Sequence, residues 1–241
     1  MGLSEKQDAF GRMLWDAFHG EVADEIVERD DGYIDSYSGW YLTDSREWPA
    51  YEKKALRLAR GRVLDIGCGA GRIGLHFQKR GLEVLGIDIS PLALRVCEER
   101  GMTNTRLLSI TQIGPSLGRF DTILMWGNNF GLMGSFRRAR QILGRFRAVT
   151  NTNALILAQT LDPYQTNDKA HLRYHRLNRR RGRMSGQLRL RVRYHECVSP
   201  WLDYLFVSRD EMRSILAGTG WRLRQCIESG GAQYIAVIEK E

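Results

Sequence analysis

No stretch of the 241-residue sequence stays apolar for the roughly 20 residues that a bilayer-spanning helix needs. The opening segment MGLSEKQDAFGRMLWDAF has no basic region followed by an apolar one, so neither a secretion signal nor membrane attachment is expected. Myristoylation is excluded on the same segment, because Lys6 stands where that pattern needs Ser or Thr. Cysteine is scarce. Cys68, Cys97, Cys197 and Cys226 form no C-x-x-C pair and no metal-ligand spacing, which argues against a disulfide framework and against a metal site. Reduced thiols and a cytoplasmic location are the expectation. Lysine is nearly missing, at positions 6, 53, 54, 79, 169 and 240 only, so arginine carries most of the formal charge of +8. Such a charge suits an anionic partner or substrate without choosing between them. Internal repeats and low-complexity linkers are absent too, so residues 1–241 are expected to form one domain.

Apolar residues recur at helical spacing from Phe10 through Leu14, Ala17, Phe18 and Val22 to Ile26, which predicts an amphipathic helix up to about residue 30. The aromatic and polar stretch after it predicts a loop or lid. Residues 1–48 therefore read as an N-terminal helix and lid. WPAYEKKALRLAR resumes the helical period, with Pro49 in the first turn. Strand and helix then alternate: RVLDIG, GRIGLHFQKRG, LEVLGIDIS, PLALRVCEERG, TRLLS, RFDTILMWG, FRRARQILGRFRAV and NALILAQTLD. That alternation predicts an α/β fold with a mostly parallel sheet and helices on both faces. Residues 163–207 read as an insertion, in which GQLRLRVRYHECV and WLDYLFVS form an antiparallel pair built on the main sheet. Ser208 and Glu211 predict a capping box, and RLRQCIE and QYIAVIEK a closing hairpin.

The chemistry concentrates in VLDIGCGAGR, residues 63–72. Glycines between a strand and a helix leave backbone N–H groups free for a ligand's polar groups. A dinucleotide loop would carry a glycine at position 72, where this chain has Arg72, and would not place Asp65 beside a pyrophosphate. A carboxylate there suits an ammonium group. About twenty residues on, LGIDIS ends at Asp88, placed to accept the two hydroxyls of a ribose. A ligand with a ribose and an ammonium but no essential diphosphate matches S-adenosylmethionine.

These segments resemble the class I S-adenosylmethionine-dependent methyltransferases. VLDIGCGAGR looks like their first motif, LGIDIS like the acidic second-strand motif, LLSI like the end of the third strand, and RFDTILMWGN like the fourth-strand motif. The resemblance implies a Rossmann-like methyltransferase fold, a seven-stranded sheet whose last strand is antiparallel, here with an extra antiparallel β insertion. It implies that Gly67, Cys68 and Gly69 lie under the methionine and ribose, with Asp65 near the amino group and Asp88 on the ribose. Ile89 and Ile110 would flank the adenine, Thr111 would help to recognise it, and Trp126, Gly127 and Asn128 would close the site. Many relatives carry an acidic residue after the third strand, where this chain has Ser109-Ile110-Thr111.

Methyl transfer from a sulfonium is an in-line displacement, so the protein must align the acceptor and exclude water. Trp40, Tyr41, Asn129 and His195 are candidates for the acceptor side. GNNFG differs from the Asp/Asn-Pro-Pro-Tyr sequence that accompanies methylation of base amino groups. The expected function is methyl transfer to a small molecule, with residues 163–207 capping the substrate. Two alternatives stand beside it: a nucleic-acid methyltransferase using the arginine-rich stretch from His171 to Tyr194, and a cofactor-binding protein without catalysis.

Overall fold

The computed structural model describes residues 2–38 and 40–241. Its helices are α1 (Ala9–Phe18), α2 (Ala50–Leu56), α3 (Arg72–Lys79), α4 (Pro91–Glu99), α5 (Phe136–Ala148), α6 (Lys169–Arg180) and α7 (Arg209–Leu216). The strands are β1 (Asp24–Arg29), β2 (Ile34–Ser38), β3 (Val63–Ile66), β4 (Val84–Asp88), β5 (Thr105–Leu107), β6 (Phe120–Met125), β7 (Thr150–Leu161), β8 (Gln187–Tyr194), β9 (Cys197–Val198), β10 (Leu202–Leu205), β11 (Trp221–Glu228) and β12 (Gln233–Lys240).

Seven strands form the main sheet in the order β11-β12-β7-β6-β3-β4-β5. β3 to β7 pair in parallel, and the last strand, β12, runs antiparallel to both β7 and β11. Both faces of the sheet are covered, which is why a strand such as VLDI is buried at every residue. Leu64, Ile66, Ile123 and Ile156 pack with α5 and α7, while Val63, Leu124, Leu157 and Val237 pack with α2 and α3. The caps expected from sequence are present: Ser90 accepts from Ala93 N–H with Pro91 in the first turn, and Ser208 and Glu211 complete a capping box.

The N-terminal third departs from the expected helix and loop. α1 stops at Phe18, Gly20 turns the chain at φ 94°, and Asp24–Arg29 is a strand. β1 pairs with β2 and with β8, so the stretch expected as an irregular lid contains a strand at Ile34–Ser38. Helical spacing misled because Val22 and Ile26, counted there as core, are exposed, while Glu25 and Arg29 point inward. Pairing with a distant strand overrode local periodicity. The antiparallel pair expected on the main sheet belongs instead to a second sheet, β10-β8-β1-β2, with β9 hairpinned to β8. The arginine-rich stretch before it is a helix, α6, capped by Asp168.

α1 joins the two sheets. Its Ala9, Met13 and Leu14 pack with Ala70 of the glycine loop, Ala93 and Val96 of α4, and Val192 and Tyr194 of β8. The second sheet is thereby held against the carboxyl ends of the main strands.

Candidate active site

The glycine loop leaves β3 and enters α3. Gly67 and Gly69 stand at φ 67° and 52°, a region costly for any residue with a Cβ. At Gly67 a Cβ would also lie 2.5 Å from the Asn129 amide nitrogen. The loop is tied down by Gly67 N–H and Cys68 N–H, both donating to Ile87 O at 2.8 and 3.1 Å. Gly69 N–H donates to Asp88 Oδ2 at 3.0 Å, and Ser90 N–H to Asp88 Oδ1 at 3.0 Å. Burial pushes the Asp88 carboxyl above its ordinary range, and these backbone donors oppose it.

Asp65 lies beneath the loop, 3% exposed. Its carboxylate lies against Gly74 in the first turn of α3, whose N–H donors Gly71, the N-cap without a side chain, leaves unsatisfied. Burial first, and the neighbouring Asp88 second, push its pKa up to about 7. Cys68 also turns inward: a Cβ on Gly86 would touch its sulfur, and its free thiol is pushed well above the usual range, first by hydrogen bonding with the Cys97 thiol and then by burial. Cys68 therefore serves the loop through its backbone.

Ile89, at the tip of β4, is exposed, and its carbonyl accepts from Leu3 N–H, so the N-terminal segment runs beside it. Ile110 is buried in the core on the other side of that edge, and the Thr111 hydroxyl is paired with Ser109 Oγ at 3.1 Å. After β6, Trp126 and Asn128 carry Nε1 and Oδ1 atoms that are buried without partners among the described residues. Gly127 N–H donates to Gln159 Oε1 at 2.8 Å. Asn129 spends its amide on the carbonyls of Ile66 and Gly67, at 3.0 and 2.9 Å, and so binds the β6 loop to the glycine loop.

Tyr41 joins this cluster and Trp40 does not. The Tyr41 ring packs edge-on against Phe10, 5.1 Å between centroids, and Phe10 covers Gly69. Its hydroxyl donates to Glu25 Oε2. Trp40 is 60% exposed, and Gly39 beside it lies outside the described residues. His195 is an exposed residue at φ 48° in the β8–β9 turn, against the Tyr194 ring. Asp121 holds Arg62 N–H and the Asn151 amide, away from the loop chemistry.

Sequence reasoning passed over four contributors. Asp8 caps α1 through Gly11 N–H and reaches across to Ser90 Oγ and Leu92 N–H, locking the helix over α4. Phe10 covers the glycine loop, Glu25 faces inward from β1, and Tyr204 lies on the β6 loop with its hydroxyl on Asn128 O at 2.7 Å. Asp8 had a signal, a cap residue before an apolar helix, but its second set of partners is 82 and 84 residues away. A Cβ on Gly131 would fall 1.9 Å from the Tyr204 ring. Gly131→Ala is therefore expected to lower stability by about 1–3 kcal/mol, read as a shifted urea midpoint at unchanged slope.

Residues 63–153 match the family model described as a methyltransferase domain. In overall structure the chain is similar to an S-adenosylmethionine-dependent methyltransferase from Bacteroides fragilis solved with S-adenosyl-L-homocysteine, with TM-score 0.83, 24% identity, and coverage of 100% of this chain and 98% of that one. It is also similar to the CcbJ methyltransferase of Streptomyces caelestis, with TM-score 0.60, 12% identity, and coverage of 83% and 100%. Among curated relatives, the ubiquinone biosynthesis O-methyltransferase of Chromobacterium violaceum is 30% identical over 99 residues, 35% of this chain and 43% of the relative. Matches to curated relatives span between 16% and 58% of those proteins' own lengths. Among the described residues no helix is long and apolar enough to cross a membrane. Motif order, strand order and the family-model match agree: residues 63–153 match a methyltransferase domain, and the whole chain has the Rossmann-like fold of S-adenosylmethionine-dependent methyltransferases.

Proposed function

We propose that this chain transfers a methyl group from S-adenosylmethionine to a small-molecule acceptor. The observation that carries the size of the acceptor is the closure over the glycine loop. α1 and the second sheet meet the loops after β3 and β6 through Phe10, Tyr41 and Tyr204. The strand arginines that suggested a nucleic-acid surface turn the other way. Arg189, Arg191 and Arg193 alternate with Leu190 and Val192, and Glu28 on the outer face pairs with two of them at 2.9 and 3.0 Å.

The residues around the loop fit the cofactor. A carboxylate offers about four acceptor positions, and Asp88 uses two on Gly69 and Ser90, leaving the others for the ribose hydroxyls. Asp65 and Asp88 put two carboxylates close together beneath and beside the loop, and a cationic ligand would relieve that repulsion. Asp65 would act on the ammonium across the loop. Trp126 Nε1 and Asn128 Oδ1 would gain the partners they lack. Ile89 and Ile110 would bound the adenine. Bound S-adenosylmethionine supplies an electrophilic methyl carbon on a sulfonium. The chain's own part is alignment and exclusion of water: Asn129 clamps the two loops, Phe10 and Tyr41 close above Gly69, and Tyr204 seals the β6 side.

Calorimetry with S-adenosylmethionine, S-adenosylhomocysteine and NAD tests the binding half. One-to-one binding of the first two and none of NAD is expected, and the reverse would end the proposal. Labelled methyl donor incubated with a cell extract tests the acceptor: label should appear in the fraction passing a small-pore filter. A specific observation favours RNA as the second reading, since Lys169, Arg173, Arg176, Arg180, Arg181 and Arg183 on α6 and its exit have no ion-pair partner among the described residues. Label retained in RNA, with binding that falls steeply as salt rises, would establish that alternative.

A further inference from the structure

We propose that Glu25 receives the methyl acceptor, and that the acceptor presents a primary or secondary amine nitrogen to its carboxylate. The inference rests on the proposed methyl transfer and deepens it.

Glu25 is an uncommon carboxylate for its surroundings. It is 9% exposed, yet among the described residues its hydrogen bonding is a single donor, the Tyr41 hydroxyl, and no cation pairs with it. Asp8 takes three donors, Asp16 has Arg12 and Glu52 has Arg72, which leaves Asp65 beneath the glycine loop and Glu25 as the sparsely supplied buried acids, and only Glu25 lies away from the proposed cofactor groups. A carboxylate taken out of water without a partner is costly, so a fold retains one where something else completes it. β1 does not need it. Arg193 and Arg191, which lie on neighbouring β8, face the opposite side of the sheet and bind Glu28 instead.

The location is bounded on both sides by the candidate site. On one side Glu25 holds Tyr41, which packs on Phe10, which covers Gly69. On the other, Tyr204 is half-buried near the Glu25 charge, with its hydroxyl on Asn128 O. Tyr37, directly across from Glu25 on β2, adds a third phenol. A carboxylate among phenol rings suits a positive or N–H-bearing group, with the rings adding cation–π attraction. Carboxylate and phosphate acceptors would be repelled.

The chemistry balances with these groups. The nitrogen lone pair forms the N–C bond to the methyl carbon as the C–S bond breaks, and that bond's electron pair stays on sulfur. The proton lost by nitrogen passes to Glu25. Burial raises the Glu25 carboxyl above its usual range, which suits it to hold that proton.

Calorimetry on the wild-type protein saturated with S-adenosylhomocysteine, titrated with phenethylamine or phenylacetate at pH 8, tests the assignment. Phenethylamine should bind saturably, phenylacetate should not, and Glu25→Gln should weaken amine binding at least tenfold while S-adenosylhomocysteine affinity stays within twofold. Tyr41→Phe, which removes the competing donor, should bind the amine as tightly as wild type or more tightly, and this variant decides the matter if Glu25→Gln does not fold. Absence of amine binding, equal binding by Glu25→Gln, loss of binding in Tyr41→Phe, or phenylacetate binding as tightly as the amine would overturn the assignment. Failure of wild type to bind S-adenosylhomocysteine would instead overturn the methyl-transfer proposal beneath it.

Discussion

Replacing Asp88 with alanine is expected to weaken S-adenosylhomocysteine binding by at least tenfold, and on the order of a hundredfold. Hydrogen bonds to a charged acceptor contribute about 1.5–3 kcal/mol each, and two of them to ribose hydroxyls amount to roughly 3 kcal/mol or more, which is about a hundredfold in affinity. The substitution also frees Gly69 N–H and Ser90 N–H, so the loop loses one of its restraints. The fold should survive, since β4 is held by backbone pairing with β3 and β5. Asp121→Asn is the control. Its carboxylate serves Arg62 N–H and Asn151, so that variant should lose stability and keep affinity. Calorimetric titration reads both, and an unaltered dissociation constant in Asp88→Ala would remove the ribose assignment.

The second large effect is on stability and concerns Asp65. Its ordinary value is 3.8, and burial with the nearby Asp88 lifts it to about 7 in the fold. The sign follows from proton counting. Below about pH 4 the carboxyl is protonated in both states and costs nothing. Between about pH 4 and 7 the unfolded chain gives up its proton while the folded one keeps it, so stability falls as pH rises, and above 7 the loss is constant. At about 1.4 kcal/mol per unit, the window of about three units corresponds to roughly 4 kcal/mol. Asp65→Asn keeps the side chain's shape against Gly74 and removes the ionisation. Its stability relative to wild type should therefore climb by that amount from pH 4 to pH 8, measured by urea denaturation of ligand-free protein. A difference that stays flat across the range would mean that Asp65 is not the buried acid described. Bound S-adenosylhomocysteine, whose ammonium favours the ionised form, should flatten the wild-type profile.

Both carboxylates were legible as candidate cofactor ligands before any coordinates, because each stands at or near a strand tip in register with the glycines. Their division of labour was not. That Asp65 lies against the uncapped first turn of α3 depends on Gly71 having no side chain and on α3 turning back over β3. Asn129 read as a substrate residue because it follows the fourth strand, but the folded chain brings Gly67 to it and its amide is used there. His195 had chemistry and no address, and its turn faces solvent. The strand at Asp24–Arg29 was read as helix since its apolar residues fall at helical spacing by coincidence. Only its partners, one of them more than 160 residues away, make it a strand with Glu25 inside.

Sequence by itself determined the alternation of parallel strands and helices, the glycine loop and the acids at residues 65 and 88, since each of these follows from neighbours within a few residues. The roof over that loop, its inward carboxylate and the outward turn of the arginine strand were decided by tertiary structure alone. Strand pairing across the chain sets which side of an alternating sequence faces in, and no local period contains that choice.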